Sequence, residues 1–207
     1  MPNDTSNHMH LLIITGFLGS GKTTLLLKIA ELVGNRGYKV AIMVNEVGDI
    51  GIDDQFMRSL GFNVWELLGG CICCSLAGDV TGTLERISSE FNPDIILLEP
   101  TGAADPKNLM DVLKNYHGPS FKSLTRVALL DALRLDMLTA VVGPLITSTI
   151  NQADLVLINK ADAASSQELA FAEDTVHQLK PELPVFNICA RDKITPRVIK
   201  ELLPWMN

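Results

Sequence analysis

Short apolar segments alternate with longer amphipathic segments along the chain, and this alternation is typical of a parallel α/β sheet. Runs rich in branched aliphatic residues predict strands at residues 10–15, 38–44, 63–67, 94–99, 125–130, 154–158 and 185–188. Helical spacing of apolar residues predicts helices at 22–33, 79–90, 106–115, 144–152, 166–179 and 196–203. We therefore expect an α/β fold, with a mostly parallel sheet of about seven strands and helices on both faces.

No internal repeat, low-complexity tract or long linker interrupts this pattern, so residues 10–207 are predicted to form one domain. Residues 1–9 are polar and are expected to be a flexible tail. His8 and His10 lie at this junction, and we interpret them as solvated rather than metal-binding. Prolines at 106, 144 and 196 are predicted to begin helices, where the missing N–H costs little.

The composition narrows the range of partners. The chain has 207 residues, a net charge of −7 and no cluster of lysines and arginines, which argues against nucleic acid as the main partner. Its apolar runs are too short to span a membrane, and its first residues are too polar for a signal peptide. We therefore expect a cytoplasmic protein.

The segment GFLGSGKT at residues 16–23 follows the first predicted strand and matches the phosphate-binding pattern G-x-x-x-x-G-K-[ST]. Glycines let successive backbone N–H groups point at phosphate oxygens, and the helix that begins there adds its positive end. The segment predicts a nucleoside triphosphate site, with Mg²⁺ held by the Thr23 hydroxyl. The residues expected to bind the phosphates are Gly19, Ser20, Gly21, Lys22, Thr23 and Thr24.

The segment NKAD at residues 159–162 matches N-K-x-D and predicts that the nucleotide is GTP or GDP. The Asp162 carboxylate can accept two hydrogen bonds from guanine that adenine cannot offer, and the stem of Lys160 can pack along the base. Asn159 completes the motif. The turn Cys189-Ala190-Arg191 resembles the S-A-K turn that closes over the base in GTPases. The alternative is an exposed helix entry in which Asp162 serves only as an N-cap.

Glu99 ends the fourth predicted strand and is followed by Gly102. A carboxylate there can hold Mg²⁺ through water or sense the γ-phosphate, and Gly102 lets a backbone N–H approach that phosphate. Asp53 is a second candidate for organising Mg²⁺, so the predicted catalytic residues are Lys22, Glu99 and Asp53. The sequence offers no clear arginine finger or water-positioning glutamine, so we expect hydrolysis to be slow without a partner.

Three thiols in four residues, Cys71, Cys73 and Cys74, follow the third predicted strand. Thiolates prefer Zn²⁺, Co²⁺, Ni²⁺ or Cu⁺ over Mg²⁺. One C-x-C-C turn is too tight to complete a tetrahedral site, so the remaining ligand would be Glu46 or Asp49, a water, or a second protomer. The alternatives are three small buried side chains or a redox-sensing pair.

Five separated motifs, GFLGSGKTTLL, NEVGDIGID, GGCICC, EPTGAADP and NKAD, together resemble the CobW-type metal-centre GTPases, relatives of the HypB and UreG nickel-insertion GTPases. The resemblance runs from Leu11 to about Asp162, and it implies a GTPase of the SIMIBI class that couples hydrolysis to delivery of a metal or metal cofactor. Val47 stands where the family usually has Phe. CobW-type members often carry a further C-terminal domain, and we expect that a chain ending at Asn207 does not include one.

The leading hypothesis is therefore a metallochaperone or cofactor-assembly GTPase with a transition metal, Zn²⁺, Co²⁺ or Ni²⁺, at the cysteine motif. Its expected partners are a client metalloenzyme or cofactor-assembly protein, and a homodimer that depends on GTP or metal. Two alternatives stay open. One is a regulatory switch that acts on a metallo- or corrinoid enzyme, with structural thiols. The other is a P-loop small-molecule kinase.

Overall fold

The computed structural model describes residues 9–44, 63–66, 76–100 and 105–206. Its strands are β1 (His10–Thr15), β2 (Val40–Val44), β3 (Asn63–Glu66), β4 (Ile95–Glu99), β5 (Ser123–Asp131), β6 (Leu155–Asn159) and β7 (Val185–Asn187). They form one seven-stranded sheet in the order β3-β2-β4-β1-β5-β6-β7, and every neighbouring pair is parallel. The two edge strands, β3 and β7, are the shortest.

The described helices are α1 (Lys22–Gly34), α2 (Leu76–Arg86), α3 (Pro106–Leu113), α4 (Leu135–Gln152), α5 (Ser166–Leu179) and α6 (Pro196–Leu202). A π-helical turn, Ile87–Phe91, continues α2. Each of the parallel strand connections that is described in full contains a helix, as parallel crossovers require.

Helices cover both faces of the sheet because neighbouring strand residues point in opposite directions. Leu12 and Ile14 of β1 pack in a core with α1 and α6. Leu11 and Ile13 point to the other face and pack with α2 and α3, while α4 and α5 cover β5 and β6 on that same side. The predicted α/β fold is confirmed, and its five inner strands are largely buried on both faces, which explains their continuous apolar runs.

The order of the strands places β1 between β4 and β5. The loop that follows β1 therefore emerges beside the carboxyl ends of both neighbours, at the edge where ligands bind in open parallel sheets. No described helix is long and apolar enough to cross a membrane.

Helix α4 differs from its prediction. It begins at Leu135, nine residues before the predicted start at residue 144, and contains a kink at Val142 (φ −133°, ψ 34°). Pro144 lies just after this kink, so it does stand near the beginning of a regular helical segment. The prediction missed the preceding segment because a proline inside a helical pattern normally marks a boundary.

His10 was interpreted as a solvated residue, and this was wrong. Its ring is buried, stacks on Trp205 with centroids 4.1 Å apart, and shares a 2.6 Å hydrogen bond between Nδ1 and the Ser123 hydroxyl. Met9, assigned to the tail, is also buried. Burial, with a smaller contribution from the charge of Lys122, lowers the pKa of His10 from 6.5 to about 4.

This shift predicts a pH dependence of stability. The unfolded chain takes up a proton at His10 below pH 6.5, whereas the folded chain resists protonation down to about pH 4. The contribution of His10 to the free energy of unfolding is therefore fully present above pH 6.5 and is lost as the pH falls towards 4. His10→Phe, which keeps an aromatic ring against Trp205, should flatten the fall of the melting temperature across this window.

The matched control is His177→Gln on α5, which replaces an exposed histidine. Thermal melts of the wild type, His10→Phe and His177→Gln between pH 4 and 7 test this prediction. An equal change of slope in both variants would contradict a specific role for His10.

Candidate nucleotide-binding site

The glycine loop after β1 adopts backbone conformations that its sequence makes accessible. Gly16, Gly19 and Gly21 have φ values of 151°, 73° and 99°. A Cβ on Gly16 would lie 2.3 Å from the carbonyl oxygen of Leu129, and a Cβ on Gly21 would lie 2.3 Å from Nδ2 of Asn159. The loop therefore curls tightly against the ends of β5 and β6, and at these two positions only glycine fits.

Helix α1 starts directly behind this loop. Gly21 is its N-cap, without a side-chain hydrogen bond, and its first turn carries no acidic residue. The hydroxyl oxygen of Ser20 is buried and has no hydrogen-bond partner within the described part of the chain. An uncapped helix N-terminus and an orphaned buried hydroxyl suit a phosphate group, whose oxygens accept hydrogen bonds from both.

Glu99 at the end of β4 meets two side chains of the glycine-loop motif. The Thr23 hydroxyl donates to its carboxylate at 3.1 and 3.3 Å, and the ammonium of Lys22 lies 3.6 Å from it. Lys22 is only 5% exposed and also donates to the carbonyl of Phe17. The sequence predicted this meeting from the shared sheet edge. A hydroxyl beside a carboxylate provides the hard oxygen ligands that Mg²⁺ prefers.

Asn159 joins the glycine loop to the last loop of the sheet. Its side-chain NH₂ donates to the carbonyl of Ser20 at 2.7 Å, and its side-chain oxygen accepts from the backbone N–H of Ala190 at 2.8 Å. The side chain is buried, so both hydrogen bonds are protected from water. One amide thus fixes the position of the glycine loop relative to the loop that follows β7.

The rest of the base-side motif surrounds this amide. Lys160 has a left-handed backbone (φ 64°), and Ala161 donates its N–H to the carbonyl of Ile188. The Cys189 thiol lies beside the Asp162 carboxylate. Burial is the main cause that raises the pKa of this thiol, a backbone hydrogen bond from Arg191 opposes it, and the hydrogen bond and charge of Asp162 raise it further. Ala190 is buried, whereas the side chains of Thr24 and Arg191 are exposed.

Other predicted site residues lie outside the described residues, namely Glu46, Asp53, Cys71, Cys73, Cys74 and Gly102. Among the described residues no group of three or more His, Cys, Asp or Glu side chains could hold a metal ion.

Sequence reasoning missed a buried ion cluster beside this site. The Asp131 carboxylate, at the end of β5, has a fully buried side chain and pairs with both Lys160 and Arg134. The signal was available, because polar residues that follow the other strands were singled out as site candidates. Asp131 ends a buried run in the same way but belongs to none of the five motifs quoted above.

A strand, a tight glycine loop and an uncapped helix, with a carboxylate on one side and a guanine-type motif on the other, define a P-loop nucleotide-binding domain. The family model for the CobW/HypB/UreG nucleotide-binding domain matches residues 10–187, and the chain belongs to this family. The predicted resemblance is therefore confirmed.

Curated relatives agree with this assignment. The chain is 30% identical over 197 residues to the zinc chaperone YjiA of Escherichia coli, covering 90% of this chain and 59% of that protein. It is 31% identical over 185 residues to the zinc-regulated GTPase metalloprotein activator 1 of Schizosaccharomyces pombe, covering 84% and 44%. The chain spans about half the length of these relatives.

Among solved structures, HypB from Helicobacter pylori in complex with nickel has the same fold. The TM-score is 0.65 at 20% identity, and the match covers 96% of this chain and 84% of that one.

The bridging role of Asn159 predicts a large effect of its removal. Asn159→Ala leaves the Ser20 carbonyl and the Ala190 N–H without their partner, at about 1–3 kcal/mol for each unpaired buried group. We expect a lower free energy of unfolding and weaker nucleotide binding, measured by denaturant titration and by nucleotide titration.

Asn187→Ala is the control, because it removes an exposed amide that bonds only Glu173 among the described contacts of its side chain. Equal losses of unfolding free energy and of nucleotide affinity in the two variants would contradict a specific role for the Asn159 bridge.

Proposed function

We propose that this domain binds GTP with Mg²⁺, hydrolyses it slowly, and couples its nucleotide state to delivery of a transition metal to a client protein. Family membership supports nucleotide binding, and the names of the two relatives, a zinc chaperone and a zinc-regulated GTPase metalloprotein activator, support the metal delivery. The expectation of slow hydrolysis rests on the sequence alone.

The observation that carries the choice of GTP is the Asn159 bridge, with Asp162 three residues further on. The bridge links the base-side loop to the glycine loop, so a base held by one is aligned with phosphates held by the other. Asp162 would accept the two guanine donors, and the stem of Lys160 would pack along the base. The buried position of Ala190 beside Asn159 supports a role for its backbone in closing over the base.

At the phosphate end, each side chain would have a separate task. The glycine-loop N–H groups and Lys22 would bind the β- and γ-phosphates, with Lys22 turning from Glu99 towards the stronger anion. Thr23 and Glu99 would hold Mg²⁺, which supplies charge neutralisation at the phosphates when bound. Asp53 and Gly102 remain proposed contributors on the sequence evidence.

The metal would be cargo rather than a resident cofactor. Cys71, Cys73 and Cys74 are the proposed ligands, with Glu46 or a second protomer completing the site. An incomplete thiolate set suits a metal that must leave again, because a closed structural zinc site has four protein ligands.

Guanine selectivity should depend on Asp162. Asp162→Ala leaves the guanine N1–H and 2-amino group unpaired in the bound state, which should weaken GTP binding by about tenfold or more. ATP binding should not change. Competition with a fluorescent nucleotide measures both affinities. The control is Asp192→Ala, an exposed aspartate that follows the same loop. Equal affinity of the wild type for GTP and ATP would overturn the guanine assignment.

Metal and GTP should bind cooperatively if the domain delivers metal. Zn²⁺ and Co²⁺ are titrated against the nucleotide-free, GDP-bound and GTP-analogue-bound protein. We expect affinities that differ by about 5–150-fold between states, and by linkage an equal effect of metal on GTP affinity. Metal affinity should also rise with pH, because thiol ligation releases protons. The double variant Cys73→Ser/Cys74→Ser should lose the coupling. Identical metal affinity in all three states would contradict coupled delivery.

A further inference from the structure

A buried carboxylate joins the base-side motif to a cation of the next helix. Oδ2 of Asp131 accepts from Lys160 Nζ at 2.7 Å and from Arg134 Nε at 2.6 Å, while Oδ1 accepts from the N–H of Leu133. The Asp131 side chain is fully buried, whereas the two cations are each about one third exposed. A buried carboxylate without a partner is strongly unfavourable, so Asp131 constrains both cations.

The same arginine reaches the glycine loop. NH2 of Arg134 donates to the carbonyl of Leu18 at 2.7 Å, and a Cβ on Gly19 would lie 3.2 Å from that nitrogen. The side chain of Leu18 is 78% exposed, so apolar packing contributes little to holding the tip of the loop. The hydrogen bond from Arg134 is therefore a substantial constraint on the Leu18–Gly19 peptide.

The planar guanidinium makes this bridge by using two of its nitrogens at once. Nε is committed to Asp131 and NH2 to Leu18, an arrangement that a single ammonium cannot reproduce. Arg134 can hold the loop tip only while Asp131 holds Arg134. Lys160 shares the same carboxylate oxygen, so the base-side motif and the loop tip have a common anchor.

We propose that Asp131 and Arg134 are positioning residues that connect the tip of the glycine loop, at Leu18, to Lys160 of the NKAD motif. This connection is a second link between the two motifs, in addition to Asn159. The inference rests on the proposed function in taking GTP as the ligand. Through Arg134, the pair holds the glycine loop in a conformation that can bind any nucleoside triphosphate. Through its contact with Lys160, Asp131 supports recognition of the base.

Substitutions of Arg134, Lys160 and Asp131 should therefore change GTP and ATP affinity in different ways. Arg134→Ala frees the loop tip, so GTP and ATP affinity should both fall by about five- to twentyfold with their ratio unchanged. Lys160→Ala should lower GTP affinity more than ATP affinity, because only guanine is held against the Lys160 stem by Asp162. Asp131→Asn releases both cations, so it should lower the affinity for both nucleotides and also the ratio of GTP to ATP affinity.

A double-mutant cycle separates this bridge from independent effects. In the Asp131→Asn background, Arg134→Ala should cost less than twofold, because the arginine has already lost its anchor. The variant Arg134→Lys tests the alternative that the residue only attracts phosphate by its charge. We expect this variant to bind GTP nearly as weakly as Arg134→Ala.

A matched ion pair at the other end of the same two strands provides the control. Arg126 of β5 donates two side-chain hydrogen bonds to Asp154, which precedes β6. Arg126→Ala and Asp154→Asn also break an arginine–aspartate pair, and they should leave nucleotide affinity unchanged. Melting temperatures of all variants verify that affinities are compared on folded protein.

Three results would overturn the proposal: GTP affinity of Arg134→Ala within twofold of wild type, independent losses in the double-mutant cycle, or recovery of wild-type affinity by Arg134→Lys. Should Asp131→Asn fail to fold, Arg134→Ala and Arg134→Lys still decide the matter. A wild-type protein that binds no guanine nucleotide would contradict the proposed function, whereas normal GTP binding that is insensitive to Arg134 would contradict only this inference.

Discussion

The glycine loop can lie against the sheet because two of its residues have no side chain. A methyl group at Gly16 or Gly21 would overlap the backbone of β5 or the amide of Asn159. The close approach brings Ser20 within hydrogen-bond distance of Asn159 and places the start of α1 beside Glu99. The geometry of the whole site therefore depends on contacts that a single Cβ would prevent.

The candidate site concentrates positive charge on an acidic protein. Lys22, Lys160 and Arg134 converge on the carboxyl edge of the sheet, although the chain as a whole carries a charge of −7. Each of these cations is already paired with Glu99 or Asp131, so their charge is partly neutralised. Pairing of this kind keeps flexible cationic side chains ordered, which reduces the entropy lost when an anion binds.

Local patterns predicted most of the fold, because the information for each strand and helix lies in a few consecutive residues. The strand–loop–helix around Lys22 is one example, since the motif and its flanking elements are contiguous in sequence. Glu99 could also be placed beside the loop, because parallel strands end at a common edge. The same argument predicted that Asn159 faces the nucleotide side, although not that its amide bridges two loops.

Two of the features that the sequence did not predict depend on contacts between distant residues, and the third depends on an irregularity within one helix. His10 stacks on Trp205, 195 positions away, so a polar residue at the junction with the tail became a buried one. The bridging role of Asp131 and Arg134 arises only in the folded chain, where Leu18 lies next to Arg134. The early start of α4 was hidden because Pro144 resembles a boundary, while the actual irregularity is at Val142. For His10 and for the Asp131–Arg134 pair the deciding partner lies on another element, whereas the start of α4 was obscured by residues of that helix itself.

The kink at Val142 divides α4 into two parts with different packing. Beyond the kink, Ile146 and Ile150 are buried against the sheet, whereas before it Leu135 is the fully buried side chain and Met137 and Val141 are exposed. The two parts are therefore expected to differ in local stability, with amide hydrogens before the kink exchanging through smaller openings than those beyond it. Local opening of the segment that follows Arg134 would leave the buried contacts of Ile146 and Ile150 in place.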